Sequence, residues 1–141
     1  MAHKPYTLEI LTPEGLVFTG EVEFVSTRTE TGSIGIYARH QPLLALLAPS
    51  ELRVTLEGGT VRSFVQGEGY VQVSPDKVLI LVEEAFDPKD LDVTELRAKL
   101  EKAQAHVASS DEGTEEFKRA SRDERRYKAF IEALDGSKVA A

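Results

Sequence analysis

The hydrophobic period changes once along this 141-residue chain, just after Pro88, and that change constrains the fold more than any motif does. Before it, "ELRVTLEGGTVRSFV" sets Leu52, Val54 and Leu56 against Arg53, Thr55 and Glu57, the period-two pattern of a half-buried strand. Gly58-Gly59 supplies the positive φ angles of a tight hairpin. "GEGYVQVSPDKVLILVEEA" reads as a second pair that turns at Ser74-Pro75-Asp76-Lys77, and "KVLILV", apolar on both faces, predicts a central strand of a packed layer. "YTLEIL", "LVFTG", "VEFVSTRT", "SIGIY" and "LLALLA" add further short strands. The expectation for residues 1–87 is an antiparallel β-sandwich of about ten strands.

After Pro88, Val93, Leu96, Leu100, Ala103 and Val107 form a helical seam. Asp92 and Glu95 have the spacing of a capping box, and Leu91 and Leu96 that of a hydrophobic staple. "SSDEG" ends this helix near Ser109. A second seam, Phe117, Ala120, Tyr127, Ile131 and Leu134, is interrupted by Glu124 and followed by Gly136 as a stop. Residues 88–141 therefore read as an antiparallel two-helix hairpin, with helices over about 92–108 and 114–134. Each seam is narrow, so the hairpin must lean on the strand domain or on a partner. The junction "DPKDLDVTELRA" suits a movable arm as well as a fixed two-part fold.

The chain has no cysteine, which removes disulfides and cysteine-based metal or nucleophile sites. "MAHKPYTLEIL" holds no apolar run long enough for a signal peptide or a span, so direct membrane insertion is not expected. Residues 1–88 carry 12 acidic and 6 basic side chains, and an acidic front half argues against nucleic-acid binding. No G-x-x-x-x-G-K-S/T, H-E-x-x-H or G-x-S-x-G occurs, and Gly67-Glu68-Gly69 lacks the third glycine of a dinucleotide fingerprint. His3, His40 and His106 fall in three different elements, so no shared metal site is expected. On chemistry alone the chain reads as a non-enzyme.

Two local signals remain. "TGSIGIYARHQPL" combines Thr31, Gly32, Ser33, Gly35, Tyr37, His40 and Pro42 in one stretch. It reads either as an exposed contact loop, whose glycines admit another backbone, or as a strand between turns, with His40 a structural hydrogen-bonder. The second helix carries Lys118, Arg119, Arg122, Arg125, Arg126 and Lys128. Glu115 and Arg119, and Glu124 and Lys128, have ion-pair spacing, but all four helical neighbours of Arg122 are cations. Such repulsion costs about 0.2–0.5 kcal/mol per pair. It suits an outside anion, either an acidic partner surface or a nucleotide phosphate.

Taken together, these residues resemble a family. "GSIGIYARHQPLLALL" resembles the G-x-x-G-I-x-x-x-H-x-P-L signature of the epsilon subunit of rotary F-type ATP synthases, to which the mitochondrial delta subunit is equivalent. The strand series, the "DLD", the "SSDEG" turn and the basic second helix occur in the family's order, so the resemblance spans nearly the whole chain. It implies a non-catalytic central-stalk subunit that couples proton translocation to ATP synthesis. The sandwich would clamp the gamma shaft and rest on the c-ring, which the loop from Thr31 to Pro42 would meet. The hairpin would enter the alpha/beta catalytic hexamer and inhibit ATP hydrolysis through Lys118, Arg119, Arg122, Arg125 and Arg126. The implied location is peripheral, on the cytoplasmic face of the bacterial inner membrane. No cofactor is required. The alternative is an ATP-sensing module with the hairpin as lid, holding regulatory ATP through Asp92, Arg97, Ala98, Arg122 and Arg126. The family's Ile/Leu-Asp-x-x-Arg-Ala motif is broken here: Asp92 lies two residues too far from Arg97-Ala98, and in the other register Val93-Thr94 replaces its first pair. Ala38 stands where the family commonly has proline.

Overall fold

The computed structural model describes the backbone of residues 3–140 and the side chains of residues 3–135. Nine strands come first: β1 (Tyr6–Thr12), β2 (Gly15–Thr29), β3 (Gly32–Ile36), β4 (Leu43–Leu47), β5 (Ser50–Leu56), β6 (Val61–Gln66), β7 (Gly69–Val73), β8 (Lys77–Val82) and β9 (Ala85–Phe86). A single 3₁₀ turn, Pro88–Asp90, leads to helices α1 (Val93–Ser109) and α2 (Glu115–Ala140). The strand domain followed by a helical hairpin is the architecture that the switch of period implies.

The nine strands fit the expected sandwich of about ten, but "LVFTG" and "VEFVSTRT" are one 15-residue strand, β2, and the short β9 is an addition. Gly20, a breaker in sequence terms, stays within it, with the Phe18 ring lying over its bare Cα. The first half of β2 pairs with β1, the second with β3 and β5, and Thr29 at its end reaches Leu47 of β4. Its register with β5 shifts between Val22 and Phe24. At that point the Glu23 carboxylate is buried and accepts from the N–H groups of His3 (3.0 Å) and Gly58 (3.2 Å), so neither oxygen is left without a donor.

The strands run β1-β8-β7-β4-β2-β5-β6-β9, and β1 also pairs with β2, so five of them close a ring. One pairing departs from the antiparallel rule: β1 and β8 run parallel, Leu8 opposite Val78 and Ile10 opposite Ile80. Leu8, Ile10, Val22, Val25, Ile36, Leu52, Val54, Val71 and Ile80 are fully buried between the layers. The Tyr6 hydroxyl donates to the Ile36 carbonyl at 2.6 Å, and burial pushes its pKa well above the usual phenol range.

The turns follow their residues. Gly58 and Gly59 adopt φ of 99° and 97°, and Ser74 and Lys77 exchange backbone hydrogen bonds across theirs. Strand β8 is paired on both sides, as a central strand should be. Its two apolar faces are not both buried, however. Val78, Ile80 and Val82 point into the core, while Leu81 on the other face remains 40% exposed.

Asp92 caps α1, accepting from the Thr94 N–H at 2.8 Å, and Leu91 packs in the cluster that holds Leu96. Thr114 accepts from the Phe117 N–H at 3.2 Å and starts α2. The bounds of α2 run beyond the stop expected at Gly136, which lies outside the residues whose side chains are described. A second, smaller core joins the two parts: Val65 of β6 is buried with Leu96, Phe130, Ala133 and Leu134, and Phe86 packs against them.

Gly69 is required by close strand approach. A Cβ there would run into the carbonyl oxygen of Leu81 and come within 2.6 Å of the Val82 Cα. Gly69→Ala should therefore cost about 2–3 kcal/mol of unfolding free energy. Urea denaturation measures it, and an unchanged midpoint would show that β7 and β8 separate freely.

Candidate functional site

The stretch from Thr31 to Pro42 is a hairpin arm rather than an irregular loop. Strand β3 pairs along β2 from Val25–Ile36 to Thr29–Gly32. At its tip the Thr29 hydroxyl donates to the Gly32 carbonyl (2.8 Å) and accepts from the Thr31 N–H (3.2 Å), and Gly32 sits at φ 136°. Ser33 lies opposite Arg28. Gly35 is exposed, but a Cβ there would stand 2.9 Å from the Phe24 ring on one side. Phe24 stacks on Tyr37 (centroids 4.4 Å apart) and Tyr37 on His3 (4.5 Å). This glycine serves the packing of an aromatic stack.

Residues 37–40 form a turn closed by the His40 N–H donating to the Tyr37 carbonyl at 3.3 Å. Arg39, its third residue, lies at φ 66°, and Ala38 occupies the second position, where proline is favoured in such turns. His40 Nδ1 is 2.8 Å from the Gln41 carbonyl oxygen. This contact is of the kind a structural hydrogen-bonder makes, and Pro42 immediately precedes β4.

Helix α2 lies across the sandwich with Tyr127, Ile131 and Leu134 of the expected seam in or against the smaller core, joined there by Phe130 and Ala133, which the seam does not include. Phe130 (2% exposed) and Ala133 (5%) sit against Val65. Their spacing is helical, but Arg126 and Glu132 interleave with them, so the stripe is short in the sequence. Arg126 continues this face with its two terminal nitrogens paired: Nη1 reaches Glu84 at 2.9 Å, and Nη2 reaches Asp123 at 3.2 Å and the Tyr127 hydroxyl at 2.9 Å, while the buried Nε has no partner among the described residues. Burial works against the charge, but Glu84, Tyr127 and Asp123 together outweigh it and hold the guanidinium pKa above its ordinary value. Arg125 bonds Glu30 at 2.7 Å and Glu68 at 3.7 Å.

The basic helix is thus divided. Arg125 and Arg126 are committed to the sandwich. Lys118 has only an exposed partner, Glu115, at 3.7 Å. Arg119 and Arg122 have no ion pair among the described residues, and the expected pairs Glu115–Arg119 and Glu124–Lys128 do not form. Arg119, Arg122 and Arg126 line a cavity of about 220 Å³ with Glu68, Glu83 and Asp123. That cavity unites Arg122 and Arg126 of the nucleotide candidates. Asp92, Arg97 and Ala98 do not line it, because they belong to the start of α1. Three acidic side chains balance its three arginines. Among the described residues, no group of three or more His, Asp or Glu side chains is placed to hold a metal.

A further surface escapes motif reading. Across β4, β7, β8 and β1, Leu46, Tyr70, Leu81 and Leu11 are neighbours in one row. Leu44, Leu46 and Tyr70 are 70%, 57% and 50% exposed. The row lines a groove of about 500 Å³, which Glu30, Glu68 and Glu83 also line. The signal for it was the double-sided apolarity of "KVLILV" and "LLALL", which reads equally as burial within the chain and burial against a partner.

A closed strand sandwich with an ion-paired helical hairpin on one flank and an exposed apolar row on its surface defines a two-part class of protein whose distinctive features are surfaces. Residues 5–88 match the family described as ATP synthase, Delta/Epsilon chain, beta-sandwich domain. The chain is 37% identical to the ATP synthase epsilon chain of Persephonella marina over 95% of its own length and 98% of that protein. It is 38% identical to that of Halalkalibacterium halodurans over 84% and 89%. The structure superposes, with a TM-score of 0.73 and 25% identity, on a chain of the Euglena gracilis mitochondrial ATP synthase solved with its F1 and c-ring, covering 96% of this chain and 81% of that one. The chain belongs to the delta/epsilon family of F-type ATP synthase subunits.

The two cores give the hairpin its own stability. Phe130→Ala should remove about 3–5 kcal/mol from the smaller core. Amide exchange in α2 should then accelerate, while Ile10, Val54 and Ile80 in the sandwich stay protected. Uniform acceleration across both parts would show a single cooperative unit instead.

Proposed function

We propose that the chain acts in the central stalk of an F-type ATP synthase, coupling proton translocation to ATP synthesis through its sandwich and restraining ATP hydrolysis through its hairpin. It is a non-catalytic subunit in this reading. The observation that carries the regulatory half is the division of the basic helix. Arg119 and Arg122 carry charge with no ion-pair partner among the described residues, on a helix fixed to the sandwich only by a small core and partly exposed bridges. Such a helix suits an acidic segment of the catalytic alpha/beta hexamer once it leaves the sandwich.

The apolar row through Leu46, Tyr70 and Leu81 supports a second contact. An exposed apolar groove on a closed sandwich suits the gamma shaft, which would bury it. The β2–β3 tip at Thr31 and Gly32, with Ser33, Tyr37, His40 and Pro42 behind it, is proposed to meet the polar loops of the c-ring. The subunit would then be peripheral, on the cytoplasmic face of a bacterial inner membrane. Among the described residues no helix is long and apolar enough to cross a membrane.

Deleting residues 92–141 tests the regulatory half. ATP hydrolysis by the assembled complex should rise severalfold, while ATP-driven proton pumping persists in the complex that carries the sandwich-only subunit. Unchanged hydrolysis would show that the hairpin does not inhibit in this complex.

A further inference from the structure

Three turns of the sandwich present carboxylates to α2. Glu30 lies in the turn between β2 and β3, Glu68 between β6 and β7, and Glu84 between β8 and β9. Their positions are set without the hairpin. The Gly67 N–H donates to the Glu84 carbonyl at 2.8 Å, the Glu83 N–H to the Glu68 carbonyl at 2.9 Å, and the Glu30 N–H to the Leu46 carbonyl at 3.0 Å. The placement of the acidic group is therefore set by the backbone of the strand domain, and the cations that pair with it come from outside that domain.

Arg125 and Arg126 supply those cations. Being successive residues they diverge by about 100° around the helix, and together they reach all three turns: Arg125 to Glu30 and Glu68, Arg126 to Glu84. We propose that this carboxylate set is a preformed arginine receptor and that the Arg125–Arg126 pair is the latch that holds the hairpin on the sandwich. The proposal rests on the reading of the hairpin as a regulatory arm and adds its control element. Two of the five cations assigned to inhibition are also the latch. They serve one role at a time, so hairpin release and exposure of the full basic face are the same event.

The side chains of Arg125 and Glu30 are 47% and 37% exposed, so solvent ions reach this part of the latch. Glu30, Glu68 and Glu83 also line the apolar groove. A cationic side chain seated in that groove therefore competes with Arg125 for Glu30 and Glu68.

The chain has no cysteine, so two can be introduced as unique label sites. Spin labels at Glu57→Cys on the sandwich and Lys128→Cys on α2, both exposed positions, report hairpin position by electron-spin distance measurement in the isolated full chain. Arg125→Glu should raise the displaced population about fivefold, the size expected of partly exposed bridges. Glu30→Lys should do the same, and the two substitutions combined should bring it back towards the original distribution. About 0.5 M salt should displace the unsubstituted hairpin in the same direction. Circular dichroism checks that both single variants keep their helices, and the reciprocal double variant controls for misfolding. If neither charge reversal alters the distances, or if the double variant is displaced further than either single one, the latch is overturned. The readout needs no assembled enzyme. Hydrolysis unaffected by loss of residues 92–141 would sink the inhibitory role and leave the latch standing, whereas unmoved distances would do the reverse.

Discussion

Strand β2 belongs to both layers of the sandwich, and the remaining geometry is arranged around it. A 15-residue strand cannot stay flat, because the right-handed twist accumulates along its length. The register shift between Val22 and Phe24 takes up the bend, and the buried Glu23 carboxylate ties the N-terminal segment and the β5–β6 turn to that point. Beyond the bend, β2 carries the Glu30 turn outward and pairs with β5, beside which α2 lies. A polar cluster reinforces the same region: the Gln66 amide donates to the Ala48 carbonyl at 3.0 Å and to the Ser50 hydroxyl at 3.3 Å, next to Thr27. The β2–β3 turn and the surface on which α2 lies thus share one support.

Much of this is legible in the residues. The period-two runs, the paired glycines at 58 and 59, the cap at Asp92 and the α1 seam each act over a few residues, and each forms where the sequence implies. What sequence leaves open is non-local. Nothing near Tyr6 or Lys77 signals that β1 and β8 will lie parallel, because that pairing joins distant segments. Gly20 looks like a break until the Phe18 ring is seen to cover it. The contribution of Phe130 and Ala133 to the α2 face is obscured because Arg126 shares that face, and the half-buried place of Arg126 makes sense only once Glu84 is set beside it.

The functional surfaces show the same division. The residues from Thr31 to Pro42 are conspicuous in sequence, yet their glycines and His40 account for turns and ring packing within the chain. The excess of positive charge around Arg122 is also readable, but its partial resolution through Arg125 and Arg126 depends on acidic turns far away in sequence. The apolar row across β4, β7 and β8 was visible only as strands too greasy for one buried face. Identical letters specify an interior and an interface, and only the position of β8 in the ring distinguishes them.

The two hydrophobic cores touch at the strand domain's flank but do not merge. The large one is closed by backbone ladders among the strands, and the small one depends on Val65 and Phe86 at the edge of β6 and β9. On the proposed reading this separates the load path from the control arm. Torque carried by the sandwich would pass through hydrogen-bonded strands that contain no part of the hairpin. The arm would detach and reseat like a pawl beside an axle, without slackening the member that bears the force.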